Sequence, residues 1–370
     1  MTENVKGVLP SQAIEKLIAS GVIHARTPVM PDQIQPSSLD LRLGTEAYRV
    51  RASFLGGGAT ITRKLEQYRL HTLDLTKSAV LEKGCVYIVP LQEELALPAE
   101  ISGKANPKSS TGRLDVFTRL ITDEGRQFEI VPPGYKGRLY AEVVPRTFSV
   151  VVRQGERLSQ LRLFQGEYRP SDQLLRQLET EEALIYLPDE SRGEAAIQNG
   201  LRLSVDLTGI DGSEIIGYRA RKHAPLIDLA RIHHYDPTDF WDPIRRNESR
   251  TLILDPEDFY ILASREKVRI PTQYAAEMVP FDPTIGEFRI HYAGFFDPGF
   301  GYGSGDINGT RAVLEVRSHE VPFILEDGQV VASLVFEKLL ERPRTVYGEG
   351  IGSSYQRQGL KLSKHFRPHV

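Results

Sequence analysis

An internal repeat is the feature that most restricts the fold of this 370-residue chain. Residues 81–98 (LEKGCVYIVPLQEELALP) and 254–271 (LDPEDFYILASREKVRIP) align without a gap at an offset of 173 residues, 254 minus 81. The same offset pairs residues 155–161 with 328–334 farther downstream. A match that returns at one offset indicates that the same structural unit occurs twice in tandem.

Each copy is composed of short apolar runs. Runs such as residues 87–90 and 139–144 are bounded by glycine, proline or aspartate. Runs of this length and spacing are typical of closely spaced strands, so the sequence predicts an all-β barrel or roll in each copy. Upstream of these runs, residues 38–41 (SLDL) resemble 204–207 (SVDL) at an offset of 166, 204 minus 38.

A few short helices and a junction complete the predicted organisation. Pro10 and Ser11 begin an amphipathic segment that Gly21 ends, and Ser171 caps a second one. Proline and clustered charges mark a junction between the copies. The predicted domains are a first lobe at residues 1–165, a linker with a short helix at 166–198, and a second lobe at 199–370.

The charge and the cysteine content limit the classes of partner and metal site. A net charge of −3 provides no field that would hold nucleic acid or a membrane surface, so we expect neither partner. The N-terminus lacks the features of a signal peptide and no apolar run reaches the length of a membrane span, which favours a cytoplasmic location. Cys85 is the only cysteine, which excludes an internal disulfide and a multi-thiolate metal site.

Residues 108–114 (KSSTGRL) have the composition of an anion-binding loop. The hydroxyls of Ser109 and Ser110 can donate to phosphate oxygens, and Lys108 and Arg113 supply positive charge. The glycine in this stretch permits close approach of a ligand to the backbone. A solvated surface loop has a similar composition, so this stretch alone leaves both interpretations open.

Each copy has lost polar groups that the other retains. In the second copy, the positions of Ser109, Ser110 and Arg113 are occupied by Asp282, Pro283 and Gly286. In the first copy, Pro132 stands where the second has Asp297, at the tip of a Gly/Pro turn. The anion loop and the turn carboxylate therefore each occur once in the chain.

Both copies keep a glutamate inside an apolar strand, Glu142 in the first and Glu315 in the second. A carboxylate there is costly unless it is paired or lines a cleft, and burial moves its pKa toward the range useful for proton transfer. Either glutamate is a candidate general base. The alternative is a structural charge that protects a sheet edge or pairs with a neighbouring arginine.

Four segments together resemble the dCTP deaminases of the dUTPase-like superfamily. They are residues 34–44 (IQPSSLDLRLG), residues 108–114, a Pro-Gly turn followed by a strand glutamate, and residues 352–360 (GSSYQRQGL), which resemble the arm that closes over the nucleotide in that family. The resemblance covers most of the first lobe and, more weakly, the second. It implies two tandem dUTPase-like lobes, each a distorted β-barrel of the β-clip or jelly-roll type, in a homo-oligomer with trimer-based lobe packing.

The resemblance also implies a chemistry and a role for each matching residue. Family members deaminate the cytosine ring at C4 without zinc and bind Mg²⁺ only through the triphosphate. Glu315, Glu142 or both would be the general base, while Ser109 and Arg113 would position the water and stabilise charge on the ring. The implied substrate-binding residues are Lys108, Ser110, Tyr347 and Gln358 for the phosphates, Asp297 for the 3′-hydroxyl, and main-chain groups near Thr122 or Ala293 for the cytosine edge.

The sequence departs from the family pattern in several places. The first lobe inserts residues at 123–127 and lacks the turn aspartate, and Ser354 stands where the family usually carries a lysine. Together with the complementary losses, these departures lead to the hypothesis of one composite site. It would combine the Ser109/Arg113 loop of the first lobe with Asp297, Glu315 and the C-terminal arm of the second.

The first functional hypothesis is hydrolysis of dCTP to dUTP and ammonia in pyrimidine deoxynucleotide synthesis. The alternatives are a bifunctional enzyme that continues to dUMP, a plain dUTP diphosphatase, and a non-catalytic nucleotide-binding regulator. Glu349 stands in the glycine-rich arm, where the diphosphatase class carries a cation, and this favours the deaminase. The sequence leaves open the oligomeric state, the choice between the two glutamates, and feedback inhibition by dTTP.

Overall fold

The computed structural model describes residues 6–166, 171–280, 288–290, 294–303, 305–318, 320–348 and 355–368. Strands dominate these ranges, and four α-helices accompany them. The prediction of a mostly β protein is therefore confirmed. None of the helices in these ranges is long and apolar enough to cross a membrane.

Residues 6–166 contain thirteen strands and three α-helices. In chain order they are β1 (Gly7–Val8), α1 (Ser11–Ala19), β2 (Ile23–Ala25), β3 (Leu39–Arg42), β4 (Glu46–Val50), α2 (Ile61–Tyr68), β5 (Arg69–Asp74), β6 (Ala79–Leu81), β7 (Val86–Ala96), β8 (Ile101–Pro107), α3 (Ser109–Gly112), β9 (Val116–Thr122), β10 (Ile130–Val131), β11 (Lys136–Pro145), β12 (Val150–Val152) and β13 (Arg157–Gln165).

The described residues from 171 onward begin with a helix, and strands make up most of the regular structure that follows. The elements are α4 (Asp172–Glu181), β14 (Ile185–Tyr186), β15 (Leu201–Ser204), β16 (Ile215–Ala220), β17 (Ile227–Asp228), β18 (Trp241–Arg245), β19 (Thr251–Leu254), β20 (Tyr260–Val268), β21 (Tyr274–Pro280), β22 (Phe288–Ile290), β23 (Phe295–Phe296), β24 (Thr310–Ser318), β25 (Phe323–Glu326) and β26 (Val330–Lys338).

Each lobe has two main sheets, and the strand orders of the two lobes correspond. In the first lobe the orders are β1-β13-β8-β10, with β3 on β13, and β5-β4-β7-β11-β9, with β2 on β7. In the second lobe they are β15-β26-β21-β23, and β18-β16-β20-β24-β22 with β14 on β20. The orders β13-β8-β10 and β4-β7-β11-β9 thus recur as β26-β21-β23 and β16-β20-β24-β22. The repeat in the sequence is a repeat of sheet topology.

The structure corrects one segment of the repeat alignment. Leu39 of β3 pairs with Leu161, and Leu201 of β15 pairs with Leu334. Leu161 and Leu334 are partners at the offset of 173, so Leu201 is the counterpart of Leu39, at an offset of 162 (201 minus 39). The alignment of the two Ser-x-Asp-Leu segments at an offset of 166 is therefore wrong by four residues. A shift by an even number of residues preserves the alternation of strand side chains, so the sequence pattern is satisfied by both alignments.

Two predicted helices are confirmed, and α2 was not predicted. α1 begins directly after Pro10, and α4 follows Ser171, whose hydroxyl accepts a hydrogen bond from the Leu174 amide at 3.4 Å. Ile61, Leu65 and Tyr68 recur at helical spacing in α2 after the cap residue Thr60, so the local sequence does carry the signal of this helix. α2 packs on one face of the sheet that contains β4, β7, β9 and β11.

The two lobes share a hydrophobic core cluster, and the second lobe has a further cluster of its own. One buried cluster joins Val116 and Leu161 of the first lobe to Ile261 and Val313 of the second, and it includes Phe366 near the C-terminus. β12 of the first lobe also pairs in parallel with β17 of the second. The lobe boundary is therefore a packed interface that can shape a site from both sides.

Candidate active site

A cavity of about 830 Å³ lies between the two lobes. Its volume is within the range of pockets that bind drug-sized or cofactor-sized ligands. The predicted site residues in its wall are Lys108, Ser109, Ser110 and Arg113 from the first lobe and Asp297, Glu315, Tyr347 and Gln358 from the second. The structure thus brings together most of the residues that the sequence singled out.

The first-lobe loop is a single helical turn at the end of β8. The strand stops at Pro107, and α3 occupies Ser109–Gly112. The Gly112 amide donates to the Lys108 carbonyl at 3.0 Å, which closes the turn. The turn places both serines and Arg113 in the cavity wall.

Glu315 is buried on β24 at the cavity wall, with 6% of its surface exposed. Burial raises the pKa of its carboxyl to about 8, and the Arg113 guanidinium partly opposes this shift. Nε of Arg113 lies 3.9 Å from Oε1 of Glu315, which is beyond hydrogen-bonding distance. A carboxyl with this pKa can accept and return a proton near neutral pH, which is the property required of a general base.

Arg113 is held in place by the C-terminal segment. Its Nη2 donates to Oε1 of Gln358 at 2.9 Å, and its Nη1 donates to the Lys361 carbonyl at 2.8 Å. Its guanidinium carbon also lies 3.9 Å from the centroid of the Tyr355 ring. These contacts fix a positive charge beside Glu315 while leaving the carboxylate without a direct bond to that charge.

Asp297 lies at the turn that follows β23. Its Oδ1 accepts a hydrogen bond from Oγ of Ser37 in the first lobe at 2.7 Å, and Nη2 of Arg162 lies 4.0 Å away. Burial raises the pKa of the Asp297 carboxyl, and Arg162 opposes that shift. The Tyr347 amide donates to the Pro298 carbonyl at 2.8 Å, which ties the start of the C-terminal arm to the same turn.

Two domains of one protein family match this sequence. The N-terminal domain of 2′-deoxycytidine 5′-triphosphate deaminase matches residues 5–167, and the C-terminal domain of that enzyme matches residues 171–366. The chain belongs to the dCTP deaminase family. The predicted resemblance to this family is confirmed.

Solved and curated members of the dCTP deaminase family are similar to this chain. The structure of 2′-deoxycytidine 5′-triphosphate deaminase from Agrobacterium tumefaciens is 51% identical, covers 92% of this chain and 100% of its own, and has a TM-score of 0.86. A dUMP-forming dCTP deaminase of Corynebacterium kroppenstedtii is 32% identical over 37% of this chain and 69% of its own. A dCTP deaminase of Pyrobaculum islandicum is 27% identical over 44% of this chain and 86% of its own. The Agrobacterium protein therefore shares both lobes, whereas each of these curated relatives matches less than half of this chain.

One end of the cavity in this dCTP deaminase family member carries several cations. Lys108 forms an ion pair with the buried Asp40, and Arg157 and Lys364 also line the cavity. Sequence reasoning missed Arg157 and Lys364. Arg157 is an ordinary strand residue in the sequence, and Lys364 follows the arm motif, so only the fold brings these two side chains to the same cavity as Lys108.

The first-lobe glutamate does not line this cavity. Glu142 is fully buried, and its Oε1 accepts bonds from Nη2 and Nε of Arg119 at 2.6 and 3.0 Å. Its strand neighbours Ile88 and Tyr140 pack with α2, so the first lobe's own side chains fill the region next to Glu142. Glu142 therefore fits the structural alternative that the sequence left open, a charge that pairs with a neighbouring arginine. Glu315 is the candidate base that the structure brings to the cavity.

Of two other predicted residues, one does not line the described part of the cavity and one lies outside the described residues. Thr122 is buried at the end of β9, where it pairs with Leu139 of β11 in the first lobe. Ala293 lies outside the described residues, as does Ser354. Gly294, the residue after Ala293, does line the cavity.

Replacing the two glutamates should have opposite effects on stability. Because the folded-state pKa of Glu315 is raised, its ionisation opposes folding increasingly as the pH rises from the unfolded value near 4.5 toward about 8. We expect Glu315→Gln to raise the free energy of unfolding at pH 9 by about 1–3 kcal/mol, and to have much less effect at pH 5. Glu142→Gln removes the charge that pairs with Arg119, and we expect it to lower the free energy of unfolding by about 1–3 kcal/mol at pH 7 and at pH 9.

Urea unfolding of the wild type and both variants at pH 5, 7 and 9 would check this contrast. A Glu315→Gln protein that is less stable than the wild type at pH 9 would contradict the burial of an incompletely compensated carboxylate. Equal changes in the free energy of unfolding for the two variants would contradict the inference that Glu315 and Glu142 lie in different electrostatic surroundings.

Proposed function

We propose that this protein hydrolyses the C4 amine of dCTP and releases dUTP and ammonia. The observation that carries the proposal is a buried carboxyl, Glu315, with a pKa raised to about 8 and the Arg113 guanidinium 3.9 Å away, in the inter-lobe cavity of a dCTP deaminase family member. The Agrobacterium and Pyrobaculum relatives bear the name of this activity. The proposed product belongs to pyrimidine deoxynucleotide synthesis.

In the proposed reaction, Glu315 takes a proton from a water molecule as the water oxygen bonds to C4 of the cytosine ring. Glu315 then delivers that proton to N3, which gives a tetrahedral intermediate. The same carboxylate takes the proton of the new hydroxyl and gives it to the amino group. The C4–N bond breaks, ammonia leaves, and the C4 carbonyl of uracil forms.

Two first-lobe residues assist this reaction in our proposal. The Ser109 hydroxyl hydrogen-bonds to the attacking water, and the fixed charge of Arg113 stabilises the electron density that develops on the ring and its new oxygen. A charge that is already in position before the reaction lowers the barrier without reorganisation. Gln358 and Lys361, which bond to Arg113, support this role from the C-terminal segment.

The rest of the cavity suits a deoxynucleotide triphosphate. Phosphate oxygens would bind near Lys108 and Ser110, with Arg157 and Lys364 as additional cations and Tyr347 in the same cavity wall. We assign Gln358 to the support of Arg113 instead of to the phosphates, because its side chain bonds to Arg113 and to the Arg311 carbonyl. Lys364 supplies a positive charge from the C-terminal segment, which lacks the family's usual lysine at position 354. Asp297 would accept the deoxyribose 3′-hydroxyl, because Ser37 and Arg162 hold its carboxylate at the cavity wall. Gly294 and neighbouring main-chain groups are proposed to read the cytosine edge.

We also propose that Mg²⁺ enters with the triphosphate and that the reaction needs no zinc. Magnesium prefers oxygen ligands and retains several waters, and the carboxylates of Asp40 and Glu156 at the phosphate end suit such waters. Within the described ranges, no group of three or more His, Cys, Asp or Glu side chains is arranged to hold a metal ion. The single cysteine, Cys85, cannot supply the thiolate pair of the zinc deaminases.

The finer architecture belongs to the same proposal. The two sheets of each lobe, in corresponding order, support a dUTPase-like distorted barrel of the β-clip or jelly-roll type. A site built from both lobes of one chain supports the proposal of trimer-based lobe packing. The homo-oligomeric state, the cytoplasmic location and the limits of the lobes stay predictions of the sequence.

A product assay tests the function directly. We expect the purified protein, incubated with dCTP and Mg²⁺, to release ammonia and dUTP in equal amounts, with dUMP absent. A second candidate, deamination followed by pyrophosphate release, is favoured by the dUMP-forming relative from Corynebacterium, and it predicts dUMP in step with ammonia. Binding of dCTP without ammonia release would contradict both and favour a regulatory protein.

Single substitutions test which residues do the chemistry. We expect Glu315→Gln to lower kcat by roughly 1,000-fold or more, because the proton carrier is lost, and Ser109→Ala to lower it by roughly 100-fold or more. Glu142→Gln should keep most of the activity, because Glu142 pairs with Arg119 away from the cavity. Ammonia release by each variant is the measurement, and calorimetric binding of dCTP to Glu315→Gln is the control for an intact site. Loss of activity in Glu142→Gln with an active Glu315→Gln would overturn the assignment.

A further inference from the structure

A second charge pair crosses the lobe boundary close to the pair formed by Arg113 and Glu315. Asp115 follows Arg113 by two residues, and Arg317 follows Glu315 by two residues on β24. Nε of Arg317 donates to Oδ2 of Asp115 at 3.1 Å, and its Nη2 donates to the same oxygen. Along the first-lobe loop the cation, Arg113, comes before the anion, Asp115. Along β24 the anion, Glu315, comes before the cation, Arg317.

The second pair is buried and supported by other polar groups. Asp115 has no exposed surface, and Arg317 is 4% exposed. Oγ1 of Thr147 donates to Oδ2 of Asp115 at 2.5 Å and accepts from Nη2 of Arg317 at 2.8 Å. Nη1 of Arg317 donates to the Glu257 carbonyl at 2.7 Å. A buried pair with this many bonds strongly favours one alignment of the loop against β24.

The pairing with Arg317 and the repeat both indicate that the carboxylate of Asp115 is required. Its φ of 54° lies in the left-handed region, which glycine adopts most readily and which aspartate and asparagine adopt more often than other residues. Glycine at position 115 would adopt this backbone conformation readily, but it would leave Arg317 without a carboxylate partner. At the offset of 173, the repeat partners of Asp115 and Arg317 are Phe288 and Val144. The pair therefore occurs once in the chain, at the composite site.

We propose that Asp115 and Arg317 are positioning residues for the deamination step, because their pairing holds Arg113 beside Glu315 and keeps the Arg317 guanidinium away from that carboxylate. This inference rests on the function proposed above. Glu315 and Arg317 lie two residues apart on one strand and so point to the same face of the sheet. Without the carboxylate of Asp115, Arg317 would be able to bond to Glu315 and neutralise the base.

The charged and titratable groups near Glu315 come from three elements. They are Arg113 and Asp115 from the first-lobe loop, Tyr355 and Lys361 from the C-terminal segment, and Arg317 from β24 itself. Burial has the largest effect on the pKa of Glu315, Arg113 lowers it, and Asp115 raises it. Burial raises the pKa of Tyr355, which keeps that phenol neutral, and burial and Arg113 lower the pKa of Lys361. Removal of the negative charge of Asp115 should therefore lower the pKa of Glu315.

The test is the Asp115→Asn substitution in the full chain, with kcat, KM and the pH dependence of kcat/KM measured by ammonia release from dCTP. We expect kcat to fall roughly 10- to 100-fold because the reacting groups are misplaced, while KM for dCTP changes little. The midpoint of the acid limb of kcat/KM should move to lower pH than in the wild type, because Asp115 raises the pKa of Glu315. A pair that served stability alone would move neither kcat nor the acid limb.

Glu93→Gln is the matched control. Glu93 forms a buried ion pair with Arg42 and does not line the cavity, so its loss should lower stability without changing kcat or the acid limb. If Asp115→Asn fails to fold, Thr147→Val removes one bond to each member of the pair without removing a charge, and kcat should still fall several-fold.

A folded Asp115→Asn protein with the kcat and acid limb of the wild type would overturn the inference, as would a Thr147→Val protein with wild-type kcat if the first variant cannot be made. A wild-type protein that releases no ammonia would instead contradict the proposed function. The two failures are therefore distinguishable.

Discussion

Burial of the Glu315 carboxyl at the lobe boundary is the constraint on which the candidate site depends. A carboxylate without water is costly, and here it is tolerated because Arg113 lies 3.9 Å away and the raised pKa permits a neutral form. The lobes must pack closely to exclude water, and the C-terminal segment must hold Arg113 through Gln358 and Lys361. The shared core and the buried Asp115–Arg317 pair serve the same requirement, because both fix one lobe against the other.

Duplication has produced two lobes of the same topology with different roles. The first lobe provides the loop with Ser109 and Arg113, and its own strand glutamate, Glu142, pairs with Arg119 beside side chains that pack on α2. The second lobe provides the turn with Asp297, the strand with Glu315 and the C-terminal arm. A chain with two structural copies therefore has one complete set of the candidate residues at the described lobe boundary.

Local patterns in the sequence predicted much of this arrangement. Short apolar runs indicated the strands, a cap at Ser171 indicated α4, and the complementary losses at Ser109 and Asp297 led to the composite site. The four-residue correction at Leu201 was not predictable, because an even shift keeps the alternation of the strand. A single sequence does not reveal contacts between distant segments. Such contacts determine the packing of α2, the pairing of Glu142 with Arg119 and the position of Lys364 at the cavity.

The central claim is that one chain supplies both halves of the site. Co-expression of a Ser109→Ala chain with a Glu315→Gln chain, followed by an ammonia-release assay on the co-purified protein, tests it most directly. In a site formed within one chain, every molecule lacks one required group, and the mixture should be as inactive as either variant alone. If sites formed at random from loops and glutamates of different chains, about one quarter of the wild-type activity would be recovered. That result would contradict the claim.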